Sequence, residues 1–342
     1  MDYNKYSILT VKPEFAKQEP NSEIIPTRKN YLVGLNSLRG IAALLVCSYH
    51  FTNGALPKVV VPSTKWLFSH GNLGVEIFFV LSGFIIPYSL IGKNHHFQDI
   101  FKYLRKRIVR INPPAYAAIL LTIGQAFFID KIIQHSDKYT RELTWSHVLD
   151  NLLFTVPFTN SKWIVGVLWT LAIEFQFYIF VGILFTLLFE HKKLWPFVGV
   201  YLLFAGIYYT FPVADSFLQY SSLFALGGTA LLWQQRRLTN LEYVSLLILF
   251  TGLLYIQINI YVAVAGLLTA LVLNLLRVQL PGFEFLGKIS YSFYLLHILI
   301  GTSCEFFLIK FISPTATSNK LLIVLLAVIS AIIGSYIFYR LV

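Results

Sequence analysis

Long, nearly uninterrupted apolar runs constrain this chain more than any other feature of its sequence. The hydrocarbon core of a bilayer needs about 20 mostly apolar residues per helix. Runs near this length predict ten transmembrane helices, at residues 35–56, 72–92, 112–130, 164–189, 195–211, 217–234, 239–256, 258–276, 286–311 and 320–341. A further apolar stretch, 148–158, is too short to cross, so we expect it to be interfacial or re-entrant. The predicted fold is all-α, a polytopic transmembrane helical bundle.

Composition argues against the other classes of protein. Of the 342 residues, 56% are hydrophobic and 13% charged, whereas soluble domains have about 25% charged residues. The aromatic content of 16% excludes disorder, and two cysteines in apolar runs, Cys47 and Cys304, exclude a disulfide scaffold. The net charge of +11 is spread between the spans rather than collected on one domain, which argues against nucleic-acid binding. A multi-pass protein of the cell membrane is the remaining class.

The distribution of basic residues predicts the orientation. If the N-terminus is cytoplasmic, most of the 27 Lys and Arg residues lie on the inner side, as the positive-inside rule requires. Both termini are then predicted to be cytoplasmic. The first 30 residues are polar and contain Pro13, Pro20 and Pro26, so we expect residues 1–34 to be a disordered cytoplasmic tail without a cleavable signal peptide. One membrane domain, 35–342, is expected to follow.

Ionisable side chains within the predicted spans are candidates for function, because each costs about 2.5–3.5 kcal/mol on insertion scales. Arg39 and His50 are eleven positions apart, about three helical turns, so they share one face about 16 Å apart. Glu174 is expected about 15 Å deep, where a carboxylate can orient an imidazole such as His50. His297 and Glu76 are further candidates. A snorkelling arginine and structural hydrogen bonds to neighbouring helices are the alternative explanations.

A basic cluster precedes the third predicted span and consists of Arg105, Lys106, Arg107 and Arg110. Arg107 and Arg110 are three positions apart and share a helical face, a spacing suited to gripping phosphates. A role in topology or in contact with anionic lipid headgroups explains the cluster equally well. His95 and His96 have no further ligands at metal spacing, so no metal site is predicted.

Five segments, in the same order, resemble the acyltransferase family 3 membrane proteins, which O-acylate sugars and other hydroxyl acceptors. They are LNSLRGIAALLVCSYHF (35–51), GVEIFFVLSGFII (74–86), RKRIVRINPPAY (105–116), LWTLAIEFQFYIF (168–180) and GKISYSFYLLHILI (287–300). Arg39 and His50 match the family's Arg-x10-His pattern. Arg107 and Arg110 match its Arg-x-x-Arg-Ile-x-Pro element, and Glu174 matches its Trp-Ser-Leu-x-x-Glu segment. Each motif is weak alone, but the ordered set is specific.

The resemblance implies an acyl-CoA donor on the cytoplasmic side, with acetyl as the first expectation, and a hydroxyl acceptor reached from the outer side or within the membrane. Arg107 and Arg110 are then predicted to bind a CoA phosphate, with the pantetheine arm passing Arg39. His50 is predicted to be the general base, oriented by Glu174. A transient acyl-His50 intermediate is the competing mechanism.

The same motifs and ionisable residues predict further site residues and partners. Trp169 is expected to shape the pocket, Ser82 to donate a hydrogen bond, and Glu76 and His297 to lie in or near the pocket, with His297 as a second acid or positioning group. We expect no tightly bound cofactor. The expected partners are acyl-CoA, the lipid bilayer and a cell-surface or lipid-linked carbohydrate or another hydroxyl acceptor, and no nucleic acid. The alternative function is a proton-coupled transporter or exporter of a saccharide or lipid-linked precursor.

Overall fold

The structure, a computed structural model of the chain, describes residues 28–53, 57–93, 95–275 and 280–342. Within these ranges the regular structure is helical and no strand occurs. The helices are α1 (Arg28–Asn53), α2 (Pro62–Leu67), α3 (Gly74–Tyr88), α4 (Ile100–Phe128), α5 (Trp145–Leu152), α6 (Leu168–Phe185), α7 (Trp195–Thr210), α8 (Phe217–Gln234), α9 (Asn240–Gln257), α10 (Ile260–Leu275), α11 (Pro281–Leu308) and α12 (Thr317–Leu341). Most of the predicted tail, residues 1–27, lies outside the described residues.

Each of the ten predicted spans coincides with one of the longer helices in the described part of the chain, namely α1, α3, α4 and α6 to α12. Six helical segments there are long and apolar enough to cross a membrane by length and composition alone. The all-α class and the multi-helix membrane character are therefore confirmed. The count of ten crossings and the orientation of the termini stay predictions.

Two polar residues mark the boundary between α9 and α10, where the apolar sequence is otherwise continuous. The Asn259 side-chain oxygen accepts a hydrogen bond of 3.0 Å from the backbone N–H of Val262, so it caps the first turn of α10. Gln257, at the end of α9, accepts a hydrogen bond of 2.8 Å from the Ser222 hydroxyl of α8. The interruption expected from the sequence is thus a true helix break.

Several helices begin elsewhere than predicted, and at α1, α4 and α6 the difference moves a candidate site residue. Helix α1 begins at Arg28, so Arg39 lies well inside it rather than at its inner end. Helix α4 begins at Ile100, so the basic cluster forms its first turns. Helix α6 begins at Leu168, which puts Glu174 about 9 Å from its start rather than the expected 15 Å. Apolar length locates membrane spans but not helix ends, because charged residues are also good helix formers.

The short apolar stretch at 148–158 does not form one long helix. Its first part belongs to α5, whose N-terminus is capped by the Thr144 side chain accepting from the backbone N–H of His147. A short 3-10 turn, Val156–Phe158, follows. Trp145 and Phe158 are exposed, as expected of an interfacial segment.

Helices α1 and α11 pack extensively against each other, and glycines allow their backbones to touch. A Cβ atom on Gly40 would overlap the carbonyl oxygen of Phe283, and one on Gly287 would overlap that of Asn36. Small residues at such crossings let membrane helices approach closely. Arg39, the neighbour of Gly40, is thereby held against α11.

A second reciprocal crossing joins α3 to α8. A Cβ atom on Gly83 would overlap the backbone at Phe224, and one on Gly227 would overlap the carbonyl oxygen of Val80. The position of Ser82, the neighbour of Gly83, is therefore set by backbone contact.

Candidate active site

One cavity of about 150 Å³ collects most of the predicted polar residues. Helices α1, α3, α4, α6 and α11 surround it, and a short loop before α6 completes its wall. Its polar lining consists of Arg39, Ser82, Arg107, Arg110, Thr170, Glu174, Tyr178, Ser290, Tyr291 and Tyr294. Five of these residues were predicted from the sequence, so the fold brings together groups from four separate helices.

The Arg107 side chain is fixed at the wall of the cavity. Its Nη2 donates a hydrogen bond of 2.6 Å to the Ser89 hydroxyl. Its guanidinium carbon lies 5.4 Å from the centre of the Tyr103 ring and 5.5 Å from that of Tyr178, within the range of cation–π attraction. Arg110 lines the same cavity but is exposed. The cavity therefore opens on the side where α4 carries its basic residues.

Arg39 lies deeper and belongs to the same cavity. Its Nε donates to the Ser290 hydroxyl at 3.2 Å, and Ser290 in turn donates to the Gly287 carbonyl at 2.8 Å. A guanidinium carries five N–H donors, so its Nη groups keep donors beyond this bond. These donors suit an anionic or carbonyl oxygen within the cavity.

Glu174 is held by two hydroxyl groups. Ser82 donates to its Oε1 at 2.9 Å and Tyr178 donates to the same oxygen at 2.6 Å. The predicted hydrogen bond from Ser82 therefore exists, with Glu174 as its acceptor. Among the described residues the ion pair within 4 Å is Lys162–Glu142, on the segment between α4 and α6. The three arginines of the cavity are not paired directly with its single carboxylate, so the lining has an excess of positive charge.

His50 is placed apart from this cavity, in the last turn of α1. Its ring centre lies 5.2 Å from that of His297, which is buried in α11. Among the described residues no hydrogen bond joins His50 to Glu174, whose Oε1 accepts from Ser82 and Tyr178 instead. Glu174 also lies nearer the start of its helix than predicted, as described above. The predicted orienting role of Glu174 toward His50 is thus not supported by the geometry.

Three other candidates also lie behind the lining. Trp169 packs against Phe79 and Tyr220, with ring centres 6.4 and 5.9 Å away, so it supports the cavity wall through Phe79. Glu76 is 6% exposed, and its Oε2 has no hydrogen-bond partner among the described residues. His297 is 1% exposed and does not line the cavity.

Several lining residues were missed by the sequence reasoning. Tyr178 lies four positions after Glu174, so helical spacing offered a signal for it. Ser290, Tyr291 and Tyr294 come from α11, and no local pattern connects them to α1 or α4. The Tyr291 hydroxyl donates to the Ile111 carbonyl at 2.7 Å, which ties α11 to α4.

Comparisons with known proteins agree with the architecture. The chain is 29% identical over 171 residues to the O-acetyltransferase OatA of Staphylococcus aureus strain NCTC 8325, a match that covers 48% of this chain and 26% of the relative. OatA of strain COL gives the same values. A further O-acetyltransferase-named relative of strain COL is 32% identical over 177 residues, 48% of this chain and 27% of the relative. The matches span about a quarter of the length of these relatives.

No solved structure matches the chain significantly. The acyltransferase-domain profile of acyltransferase family 3, in contrast, matches residues 32–340, nearly the whole chain. This match covers all the residues that line the cavity, and also His50 and His297. The chain belongs to the acyltransferase 3 family of acyltransferase-domain proteins.

Proposed function

We propose that the protein is a membrane O-acetyltransferase that moves an acetyl group from acetyl-CoA to a hydroxyl of a cell-surface or lipid-linked carbohydrate. The observation that carries the proposal is the cavity in which Arg39, Arg107 and Arg110 meet one carboxylate, Glu174. Its excess positive charge suits a donor with several phosphates. The names of the relatives support acetyl as the transferred group.

The cavity is large enough for only one end of the proposed donor. A volume of about 150 Å³ is similar to that of an engineered cavity that holds benzene, so it accommodates an acetyl thioester but not a nucleotide. The nucleotide end of CoA then stays at the basic start of α4, near Arg107 and Arg110. Arg39, deeper in the cavity, donates to the thioester carbonyl oxygen as negative charge develops on it.

His50 serves as the general base in this proposal. The acceptor hydroxyl approaches from the end of α1 that carries His50, and its oxygen bonds to the thioester carbon. Its proton passes to His50, and the carbon–sulfur bond breaks to release the CoA thiolate. Tyr294 lies between the cavity and the histidine pair His50–His297. It lines the cavity, and its ring centre lies 6.0 Å from that of His297. In this proposal the transfer is direct, and a transient acyl-His50 intermediate is the competing mechanism.

Glu174 has a different role from the one expected at first. Through Ser82 and Tyr178 it joins α3 to α6, and it places one negative charge among three arginines. It thereby sets the shape and charge of the donor cavity rather than the orientation of His50.

The test is acetyl transfer by the purified protein in lipid nanodiscs, with labelled acetyl-CoA and a soluble saccharide acceptor. We expect His50→Ala to lower kcat by about 10²–10⁴-fold, the usual contribution of a general base, while acetyl-CoA binding is retained. The control is His70→Ala, since His70 is exposed and packs against Tyr261 away from the cavity. A His50→Ala protein with full activity would remove the proposed base.

The same assay separates the enzyme from the transporter. A proton-coupled exporter would move the saccharide across the membrane and leave labelled acetyl-CoA intact. Release of free CoA, with the label recovered on the acceptor, is the result expected here.

A further inference from the structure

The hydrogen bonds of His297 determine which of its ring nitrogens carries a proton. Its Nδ1 lies 2.8 Å from the carbonyl oxygen of Tyr294 and 3.2 Å from that of Phe293. A carbonyl oxygen can only accept, so Nδ1 carries the hydrogen. In the neutral ring Nε2 is then a lone pair that can only accept a hydrogen bond.

The acceptor Nε2 is buried and lacks a partner among the described residues. Four rings surround His297, those of His50, Phe51, Phe293 and Tyr294. The two phenylalanines have no polar atom, and the Tyr294 hydroxyl is bonded to Thr170 at 3.0 Å. His50 is the member of this group with a free N–H. A buried acceptor without a donor is costly, at about 1–3 kcal/mol, which favours its pairing with His50.

The distance between the two rings suits such a pair. A head-on hydrogen bond of about 2.9 Å between two imidazole nitrogens gives a centre-to-centre distance of about 5 Å. The observed distance is 5.2 Å, with the ring planes inclined by 43°. His50 is half-buried at the end of α1, so rotation of its side chain is enough to direct one N–H at Nε2.

We propose that His297 is the positioning residue for His50, accepting an N–H from one His50 nitrogen and leaving the other as the lone pair that removes the acceptor's proton. This inference rests on the proposed function and assigns to His297 the part that the sequence had suggested for Glu174. When the acceptor proton reaches His50, the imidazolium keeps its other N–H on the Nε2 of His297. A base held in one tautomer by a third group is the logic of hydrolytic triads.

Three substitutions of His297 distinguish a role in positioning His50 from a role in packing alone. His297→Gln retains an acceptor oxygen near the Nε2 position. His297→Asn retains a donor to the Tyr294 carbonyl but has no atom that reaches His50. His297→Leu retains neither. We expect His297→Gln to remain within about tenfold of the wild-type kcat, and the Asn and Leu variants to lose about 10²-fold or more, with the KM for acetyl-CoA within about twofold in all three.

The results can distinguish a failure of this inference about His297 from a failure of the proposed acetyltransferase function. If His50→Ala is inactive while the Gln and Asn variants of His297 have equal kcat, whether high or low, the inference is overturned and the role of His50 stands. If the Gln variant alone retains activity, the inference is supported. Nitrogen NMR of the 15N-histidine-labelled protein in nanodiscs gives a second readout without substrate. It should show His297 protonated at Nδ1, and a His297 protonated at Nε2 would contradict the assignment.

Discussion

Arg107 is held both by a hydrogen bond and by aromatic rings. It donates to Ser89 and lies over two tyrosine rings, so its position is fixed before any ligand binds. A preorganised guanidinium loses little side-chain entropy when it binds a phosphate. At the scale of single residues, Arg107 is therefore well placed for the phosphate binding that we propose for it.

We expect Arg107→Ala to raise the KM for acetyl-CoA by about tenfold or more, equivalent to about 1.4 kcal/mol of lost binding, and to change kcat less. Arg107→Lys should recover only part of this loss, because an ammonium lacks the planar fork and stacks less well. The measurement is initial rate against acetyl-CoA concentration. Arg105→Ala is the control, since Arg105 is exposed on the same helix and does not line the cavity. Equal KM values in the two alanine variants would contradict phosphate binding by Arg107.

At the scale of helices, the crossing of α1 with α11 links stability to the site. The same contact that brings Gly287 onto the backbone of Asn36 sets the distance between Arg39 and Ser290. Packed interfaces of this kind respond to an added methyl group with shifts of side chains and backbone, because they contain little free volume. A change far from the substrate is then expected to reach the cavity.

Gly287→Ala tests this link. Its Cβ atom would overlap the Asn36 carbonyl, and overpacking of this kind costs about 1–3 kcal/mol, so we expect a lower unfolding temperature in detergent and a reduced kcat. Gly282→Ala in the same helix is the matched control, because a Cβ there meets nothing within 4 Å. This control should be neutral or slightly stabilising, since alanine is the better helix former. A Gly287→Ala protein as stable and active as the control would show that the crossing tolerates expansion.

At the scale of the whole molecule, the surface agrees with a bilayer as solvent. Large apolar side chains are exposed along several of the long helices, among them Leu120, Leu203, Ile248, Leu268, Leu325 and Ile333. Soluble proteins rarely expose contiguous apolar surface on this scale. By the positive-inside rule, the basic residues of α4 are predicted to face the cytoplasm. In that predicted orientation, the cavity opens toward the compartment that would supply the proposed acyl-CoA donor.

Single cysteines test the orientation. In a parent with Cys47→Ala and Cys304→Ser, we expect Lys138→Cys to react with a membrane-impermeant maleimide in intact cells. Lys193→Cys should react only after permeabilisation, because it lies in the loop between α6 and α7, on the predicted inner side. Both positions are exposed, so both should react equally in detergent. The reverse pattern of labelling would invert the topology and place the arginine cavity on the outer side.

Local sequence determined the class of fold, the approximate place of each long helix and the shared face of Arg107 and Arg110. These properties depend on apolar length and helical periodicity, which act over a few turns of one segment. The partners of His50 and Arg39 were decided by tertiary structure alone. Arg39 bonds to Ser290, 251 positions away, and His50 lies against His297 because α1 and α11 cross through glycine contacts. Such contacts depend on how helices pack, a property that no single segment contains.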